Sequence, residues 1–267
     1  MRISTTGIVI RERMQGESGK LVTLLTNDLG VITVSAKGAL KLTASFRRCT
    51  QLYAYSELTL YEKNGFYTLL EGALIKSFFP LCERLDTFAL AAYLCEVSAS
   101  AALPGESEGG ILNLLLNSLY ALSSNLFCAK FVKAVFEIRI TALTGLEPET
   151  ETCPDCGKPL RGAERRLFFP VDGVVLCGDC AGTHEQTETP VFLSDAVYSA
   201  INYIINAPAK SVFSFRVSES ALDDLAAVAE NYLKIRLERG FPTLDFYHSL
   251  DKLNDGISPC TEEKPEG

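Results

Sequence analysis

The hydrophobic pattern changes its period near residue 80, and this change constrains the fold more than any other feature of the chain. The first 80 residues contain short runs rich in Ile, Val, Leu and Thr, separated by Gly, Asn and Asp, which is typical of β-strands. These runs are Gly7–Arg13, Lys20–Thr26, Gly30–Ala36, Leu58–Lys63 and Phe66–Lys76. Asn64-Gly65, between the last two, is a strong signal for a hairpin. Five strands in this stretch predict a small closed barrel, an OB-fold, with an SH3-like barrel as the alternative.

Beyond residue 80 the apolar period becomes helical. The predicted helices are Leu81–Leu103, Ser107–Ser124, Leu126–Thr144, Ser194–Asn206 and a segment from Ser220 to Arg239. Gly145 and Pro148 follow the third helix, as a C-cap glycine and a terminating proline do. Ser194 can cap the fourth helix, and Ser220-x-x-Asp223 resembles a capping box for the fifth. We therefore expect a mixed chain, all-β at first and then all-α.

Length and composition exclude several classes of protein. With 267 residues, 47% of them hydrophobic and 22% charged, the chain can bury a core without disulfides. Its start has only the apolar run Gly7–Ile10 before a charge, so no secretory signal is expected. The uncharged stretch Gly109–Ala129 places its leucines on one helical face opposite asparagines, which predicts a buried amphipathic helix and no membrane span. We expect a cytoplasmic protein.

Four of the nine cysteines form two C-x-x-C pairs. They are Cys153 and Cys156, then Cys177 and Cys180. This spacing predicts a structural four-cysteine zinc site, because each pair of thiolates can take one edge of a tetrahedral ion. Between the pairs, Asp172-Gly173 predicts a hairpin that returns the second pair towards the first.

Two other interpretations of the cysteines are disfavoured. A redox pair needs a single C-x-x-C at a helix start after a strand, whereas this chain has two pairs in turn-rich surroundings. A catalytic zinc keeps an open coordination position, and four thiolates leave none. His184 and His248 are predicted to be ordinary surface residues.

The charge is unevenly distributed along the chain. The total is −8, but residues 1–80 carry a net +4 and the remainder a net −12. The segment Leu29–Ser56 contains no acidic residue, and its cations alternate with Phe46, Tyr53 and Tyr55. Cations beside aromatic rings suit a single nucleic-acid strand, although these cations can also be solvated and the tyrosines buried in the barrel. Charge alone leaves both interpretations open.

Several segments resemble the RecO family of bacterial recombination proteins. They are Gly7-Ile-Val-Ile-Arg11, Glu17-Ser-Gly-Lys-Leu-Val-Thr-Leu-Leu-Thr26, Gly30-Val-Ile-Thr-Val-Ser-Ala-Lys-Gly38 with Ser45, Phe131-x-x-x-x-Phe136-Glu137, Cys153-Pro-x-Cys-Gly157 and Cys177-x-x-Cys180. The resemblance implies an OB-fold, an all-helical domain with a zinc-binding insertion, binding of single- and double-stranded DNA, and strand annealing. It also implies that RecR, the C-terminal tail of the single-strand-binding protein SSB and, indirectly, RecA are partners.

The expected domains are an OB-fold over residues 1–80, a helical domain over 81–253 with the zinc insertion at about 150–185, and a disordered tail over 254–267. The predicted DNA contacts are Arg11, Arg13, Lys20, Lys37, Lys41, Arg47 and Arg48, chosen by charge and loop position. We expect a recombination mediator at the nucleoid that is not an enzyme, since no P-loop sequence and only two histidines are present. The alternative is a zinc-bearing adaptor that binds an acidic protein and no DNA.

Overall fold

The computed structural model describes residues 1–41, 44–103, 105, 109–183 and 189–254. The chain divides into two compact units. The first contains residues 1–126 together with 241–252, and the second contains residues 127–240. The predicted domain boundary at residue 80 stays a prediction. Most of the predicted disordered tail, and His184, lie outside the described residues.

A closed barrel of five strands opens the first unit. The strands are β1 (Arg2–Gln15), β2 (Gly19–Thr26), β3 (Val31–Ala36), β4 (Ala54–Lys63) and β5 (Phe66–Ser77). Their order is β1-β2-β3-β5-β4, with β4 paired back to β1 and a parallel pairing of β3 with β5. This is an OB-fold arrangement, so the OB-fold prediction is confirmed. All five predicted runs form strands.

The strands of the barrel alternate between buried and outward-pointing residues, and a two-residue turn joins β4 to β5. Inward positions such as Val22, Val34 and Leu60 are buried, while the residues between them point out. Asn64 and Gly65 have φ values of 53° and 78°, the left-handed conformations that a two-residue hairpin requires, and Lys63 pairs with Phe66 across them. The predicted hairpin is therefore confirmed.

Seven helices follow the barrel among the described residues. They are α1 (Leu85–Ala101), α2 (Gly109–Ser123), α3 (Ala129–Leu143), α4 (Gly178–Ala181), α5 (Asp195–Asn206), α6 (Glu219–Arg236) and α7 (Pro242–Asn254). In α2 the predicted apolar face is buried and Asn113 is exposed. None of the described helices is both long enough and apolar enough to cross a membrane.

Helix α7 belongs to the first unit and was absent from the sequence prediction. Pro242 ends the preceding helical pattern but also occupies the first position of α7, where its fixed φ and missing N–H are tolerated. Leu244 and Tyr247 are buried. The ring of Phe241 lies edge-on to Tyr93 of α1, with 5.7 Å between the ring centroids.

The second unit packs α3, α5 and α6 with a small sheet. The sheet strands are β6 (Arg166–Phe169), β7 (Val174–Cys177) and β8 (Val191–Phe192), in the order β7-β6-β8. Val135 of α3, Ile201 of α5 and Leu225 of α6 are at most 1% exposed and share one core with the sheet residue Phe168. The predicted hairpin at Asp172-Gly173 joins β6 to β7.

The ends of the helices follow local chemistry, with two corrections in α6. Ser194 caps α5 as predicted, because its side chain accepts the N–H of Val197. The prediction that Ser220 caps α6 is wrong. Ser218 has extended backbone and accepts the N–H of Ala221, while Ser220 already lies in the first turn. Helix α6 also ends at Arg236, before the predicted Arg239.

Candidate nucleic-acid interface and metal centre

Arg13 begins a row of outward-pointing side chains that crosses the barrel. It is paired with Leu21 of β2. Leu21 is in turn paired with Ser35 of β3, and Ser35 with Thr68 of β5. Residues that are directly paired in a sheet point to the same side. Intervening positions such as Val34 are buried in the barrel, so this row faces solvent.

Arg11 begins a second row beside the first, through Thr23 of β2 and Thr33 of β3. A strict two-residue alternation would point Arg11 inwards, because Val9 is buried in the barrel core. The pairing of β1 with β2 instead shifts between Val9 and Arg11. This bulge turns Arg11 outwards. We call the two rows together the arginine face, which consists of Arg11, Arg13, Leu21, Thr23, Thr33, Ser35 and Thr68.

The two guanidinium groups of this face are exposed. Within the described part of the chain, no carboxylate forms a salt bridge with Arg11 or Arg13. Their positive charge is therefore available to an external anion. The remaining side chains of the arginine face are small or aliphatic, and they lie between the arginines and the β4–β5 hairpin.

Four further predicted cations lie in the connection between β3 and β4. They are Lys37, Lys41, Arg47 and Arg48, and all four are exposed. The N–H of Leu40 donates to the carbonyl of Ser18 at 3.0 Å, which fixes the start of this connection beside the β1–β2 loop. A 3-10 turn over Arg47–Thr50 buries Cys49 against the barrel core and leaves its two arginines outside.

Lys20 differs from the other predicted contacts. Its ammonium group donates to Glu12 Oε2 at 2.7 Å and to the carbonyl of Thr50 at 3.4 Å. Its side chain is 13% exposed. The structure thus places Lys20 at the end of the barrel with its charge already balanced by a carboxylate.

The three aromatic residues that lie among these cations in the sequence are buried or half-buried in the structure. Tyr53 is 1% exposed, and burial raises the pKa of its hydroxyl, so it cannot stack on a base. Phe46 packs against the barrel core, and Tyr55 is half-buried. The most exposed ring among the described residues is Phe66, which is 79% exposed beside the Asn64-Gly65 turn and which was not among the predicted contacts. The sequence signal for the exposure of Phe66 is its position directly after a hairpin turn.

The four paired cysteines come together in the second unit. The Sγ atoms of Cys153, Cys156, Cys177 and Cys180 all lie within 4.8 Å of one another. The Sγ atoms of Cys156 and Cys177 are 3.8 Å apart. A tetrahedral zinc with Zn–S distances of 2.3 Å has sulfur atoms about 3.8 Å apart, so the cluster has suitable dimensions. These four residues can hold one metal ion.

The first pair sits in a tight turn built for thiolate ligands. The N–H of Gly157 donates to the carbonyl of Cys153, and Gly157 has a φ of 70° that favours glycine. Burial acts to raise the pKa of the Cys153 thiol. Hydrogen bonds from the backbone of Cys177, Cys156 and Asp155 outweigh it and lower this pKa to about 7. These donors favour the thiolate, which is the form that binds metal. Hydrogen bonding to the neighbouring thiols raises the pKa of Cys180.

The metal centre is continuous with the core of the second unit. Cys153 and Cys177 belong to the same buried cluster as Val135 of α3 and Leu225 of α6. Arg166 of β6 is buried, donates to the carbonyl of Leu160 at 2.8 Å and lies with its guanidinium over the ring of Tyr198 of α5. The turn that carries the first cysteine pair is therefore fastened to the helices.

Comparison with known families assigns most of the chain. Residues 1–78 match the family described as recombination protein O N terminal, and residues 82–245 match recombination protein O C terminal. The chain belongs to the RecO family. It is 32% identical to the DNA repair protein RecO of Acetivibrio thermocellus over 94% of this chain and 98% of that relative. The RecO proteins of Dehalococcoides mccartyi and Caldicellulosiruptor bescii are each 27% identical, over 94% and 93% of this chain and 96% and 98% of theirs.

Membership in the RecO family makes this a DNA repair and recombination protein. The barrel and the cysteine cluster agree with the architecture expected of the family. The descriptions of the family and of these relatives mention no catalytic activity.

Proposed function

We propose that this RecO-family chain is a recombination mediator that binds single- and double-stranded DNA through its OB-fold barrel. The observation that carries the proposal is the set of exposed cations on the barrel and its β3–β4 connection, none of which pairs with a described carboxylate. They are Arg11, Arg13, Lys37, Lys41, Arg47 and Arg48. OB-fold barrels bind oligonucleotides on the face of their second and third strands and on the β1–β2 and β4–β5 loops, and the arginine face includes β2 and β3.

These cations neutralise backbone phosphates and release the counterions that DNA carries. A surface that binds phosphates without reading base sequence can hold two strands at once. Their local concentration then rises, and complementary segments pair. We propose that strand annealing follows from this effect and requires no catalytic group of the protein.

We further propose that RecR and the C-terminal tail of SSB are the partners, and that RecA is loaded onto DNA as the result. This extension rests on the family assignment. The apolar surface of the helical region is our candidate for receiving the SSB tail. We place the protein in the cytoplasm, at the nucleoid.

The metal is proposed to be zinc with a structural role. Four thiolate ligands select a soft or borderline ion and leave no open position for chemistry. Zinc would close the two cysteine pairs onto each other and hold β6 and β7 against the helices. The chain's own contribution is the set of backbone donors that favour the thiolate form of Cys153.

A strand-annealing assay tests the proposal. The variant Arg47→Glu/Arg48→Glu reverses two exposed charges outside the barrel core and should slow annealing and weaken oligonucleotide binding. Lys210→Glu/Arg216→Glu, which reverses two exposed charges of the second unit, is the matched control. If annealing survives the first change, the barrel surface is not the DNA site. If the protein binds no oligonucleotide at low salt, the adaptor alternative is preferred.

A further inference from the structure

The β4–β5 hairpin adds a second cluster of side chains next to the arginine face. Phe66 lies two residues before Thr68 on β5, so both side chains point outwards. Lys63 is paired directly with Phe66, and Tyr61 directly with Thr68. Phe66 is 79% exposed and Tyr61 is 45% exposed. A ring, a cation and a second ring therefore project from the same outer surface.

The pairing of the strands places this cluster across from the two arginines. Ser35 of β3 is paired in parallel with Thr68, so Thr33 of β3 lies alongside Phe66. Along the path through β2 and β3, β1 and β5 are three strand spacings apart, which is about 14 Å along the barrel surface. The side chains between the two sides are those of Leu21, Thr23, Thr33, Ser35 and Thr68 of the arginine face. The arginine face thus has guanidinium groups at its β1 border, and the Phe66 ring lies next to its β5 border.

This arrangement separates two kinds of contact. Phosphates can be neutralised by the arginines and by Lys63, whichever form of DNA is bound. A flat exposed ring offers a stacking surface, and only an unpaired base presents its face to it. In a duplex the base faces are covered by neighbouring base pairs, so the ring gains little.

We propose that Phe66 is a stacking platform for an unpaired base, and that it makes the barrel favour single-stranded over double-stranded DNA. Lys63 holds the phosphate next to that base. This inference rests on the proposed DNA-binding function and adds to it the residue that distinguishes the two forms of DNA. A protein ligand docking on Phe66 would instead leave the affinity for DNA independent of this ring.

The test compares Phe66→Ala with Phe192→Ala, a matched truncation at a ring that is 57% exposed in β8 of the second unit. Binding of a labelled single strand and of the same sequence as a duplex is followed by fluorescence anisotropy over a range of salt concentrations. Phe66→Ala should weaken single-strand binding about tenfold, because one stacked base is lost. Its duplex affinity and salt slope should be unchanged, and Phe192→Ala should behave as the parent does.

Three additional measurements make the outcome decisive. Phe66→Trp should restore single-strand affinity. A strand in which abasic sites replace the bases should bind the parent and Phe66→Ala equally. Lys63→Met should lower the salt slope for single strands by about 0.7. Equal single-strand binding by the parent and Phe66→Ala overturns the stacking inference while the proposed function stands. Failure of the parent to bind either form overturns the proposed function itself.

Discussion

Replacing Arg13 with methionine should reduce the salt dependence of single-strand binding, whereas removing Lys20 together with its partner should not. Both cations lie near the start of the barrel sequence and were predicted to contact DNA. The structure separates them, because Arg13 is exposed without a described carboxylate partner and Lys20 bonds to Glu12 at 2.7 Å. A cation that is already neutralised by a carboxylate displaces few counterions from DNA. The second variant is therefore Glu12→Gln/Lys20→Met, which removes the pair without changing the net charge.

The expected magnitude follows from counting phosphates. Seven available cations, the six of the proposed site together with Lys63, each neutralise one phosphate and give a slope of log affinity against log salt of about −4.9 for a single strand. Arg13→Met should bring this slope to about −4.2. Between 50 and 200 mM salt, the parent should therefore lose roughly threefold more affinity than Arg13→Met does. Glu12→Gln/Lys20→Met should keep the parent slope.

The assay is anisotropy of a labelled single strand, with thermal unfolding as the control for folding. Arg13→Lys keeps the charge and should keep the slope. Equal slopes for the parent and Arg13→Met would refute the assignment of the arginine face as the phosphate site. A larger loss in the Glu12→Gln/Lys20→Met variant would refute the argument that internal neutralisation removes Lys20 from binding.

Three further predictions concern the second unit. Native mass spectrometry should find one zinc ion per parent chain and none in Cys153→Ser, and this variant should have a lower melting temperature; an unchanged melting temperature would contradict the structural role. Ser218→Ala should lower the free energy of unfolding by about 1 kcal/mol in urea, and Ser220→Ala by less than about 0.5 kcal/mol; the reverse order would restore the Ser220 cap. Lys133 Nζ of α3 lies 2.8 Å from Glu137 Oε1, and the Glu137 side chain is 0% exposed. Lys133→Ala should lower the free energy of unfolding by about 3–5 kcal/mol, because it removes the cation that balances this buried carboxylate, and Lys133→Met/Glu137→Leu should recover stability in the same urea assay.

Turn and cap chemistry made much of the fold predictable. Asn64-Gly65 specified a hairpin by its backbone preferences, and Gly145 ends α3 with hydrogen bonds of the Schellman type, from Leu146 to Thr141 and from Gly145 to Ala142. The same local logic failed at Pro242, because a proline that ends one helix can also begin the next. Periodicity alone gave no signal to choose between these roles.

The cysteine cluster was predictable and the arginine face was not. Two C-x-x-C pairs predict one shared metal site, since each pair supplies only two of the four ligands. Arg11 illustrates the opposite case. Alternation from Val9 would turn Arg11 inwards, and only the bulge in the pairing with β2 turns it out. Tyr53 is likewise buried and Phe66 exposed, because burial depends on what the rest of the chain places over each ring.

The amino-acid sequence alone is enough to predict a strand-rich barrel followed by helices. It also predicts a metal site from the spacing of four cysteines. These properties depend on residues that are close along the chain, where period, turn residues and ligand spacing act directly. The tertiary structure decided which cations are available and which ring is exposed. The reason is that strand register and internal ion pairs, such as Lys20 with Glu12, bring together residues from different strands. A charge can bind a ligand only where no carboxylate of the protein neutralises it, and a ring only where the fold does not bury it.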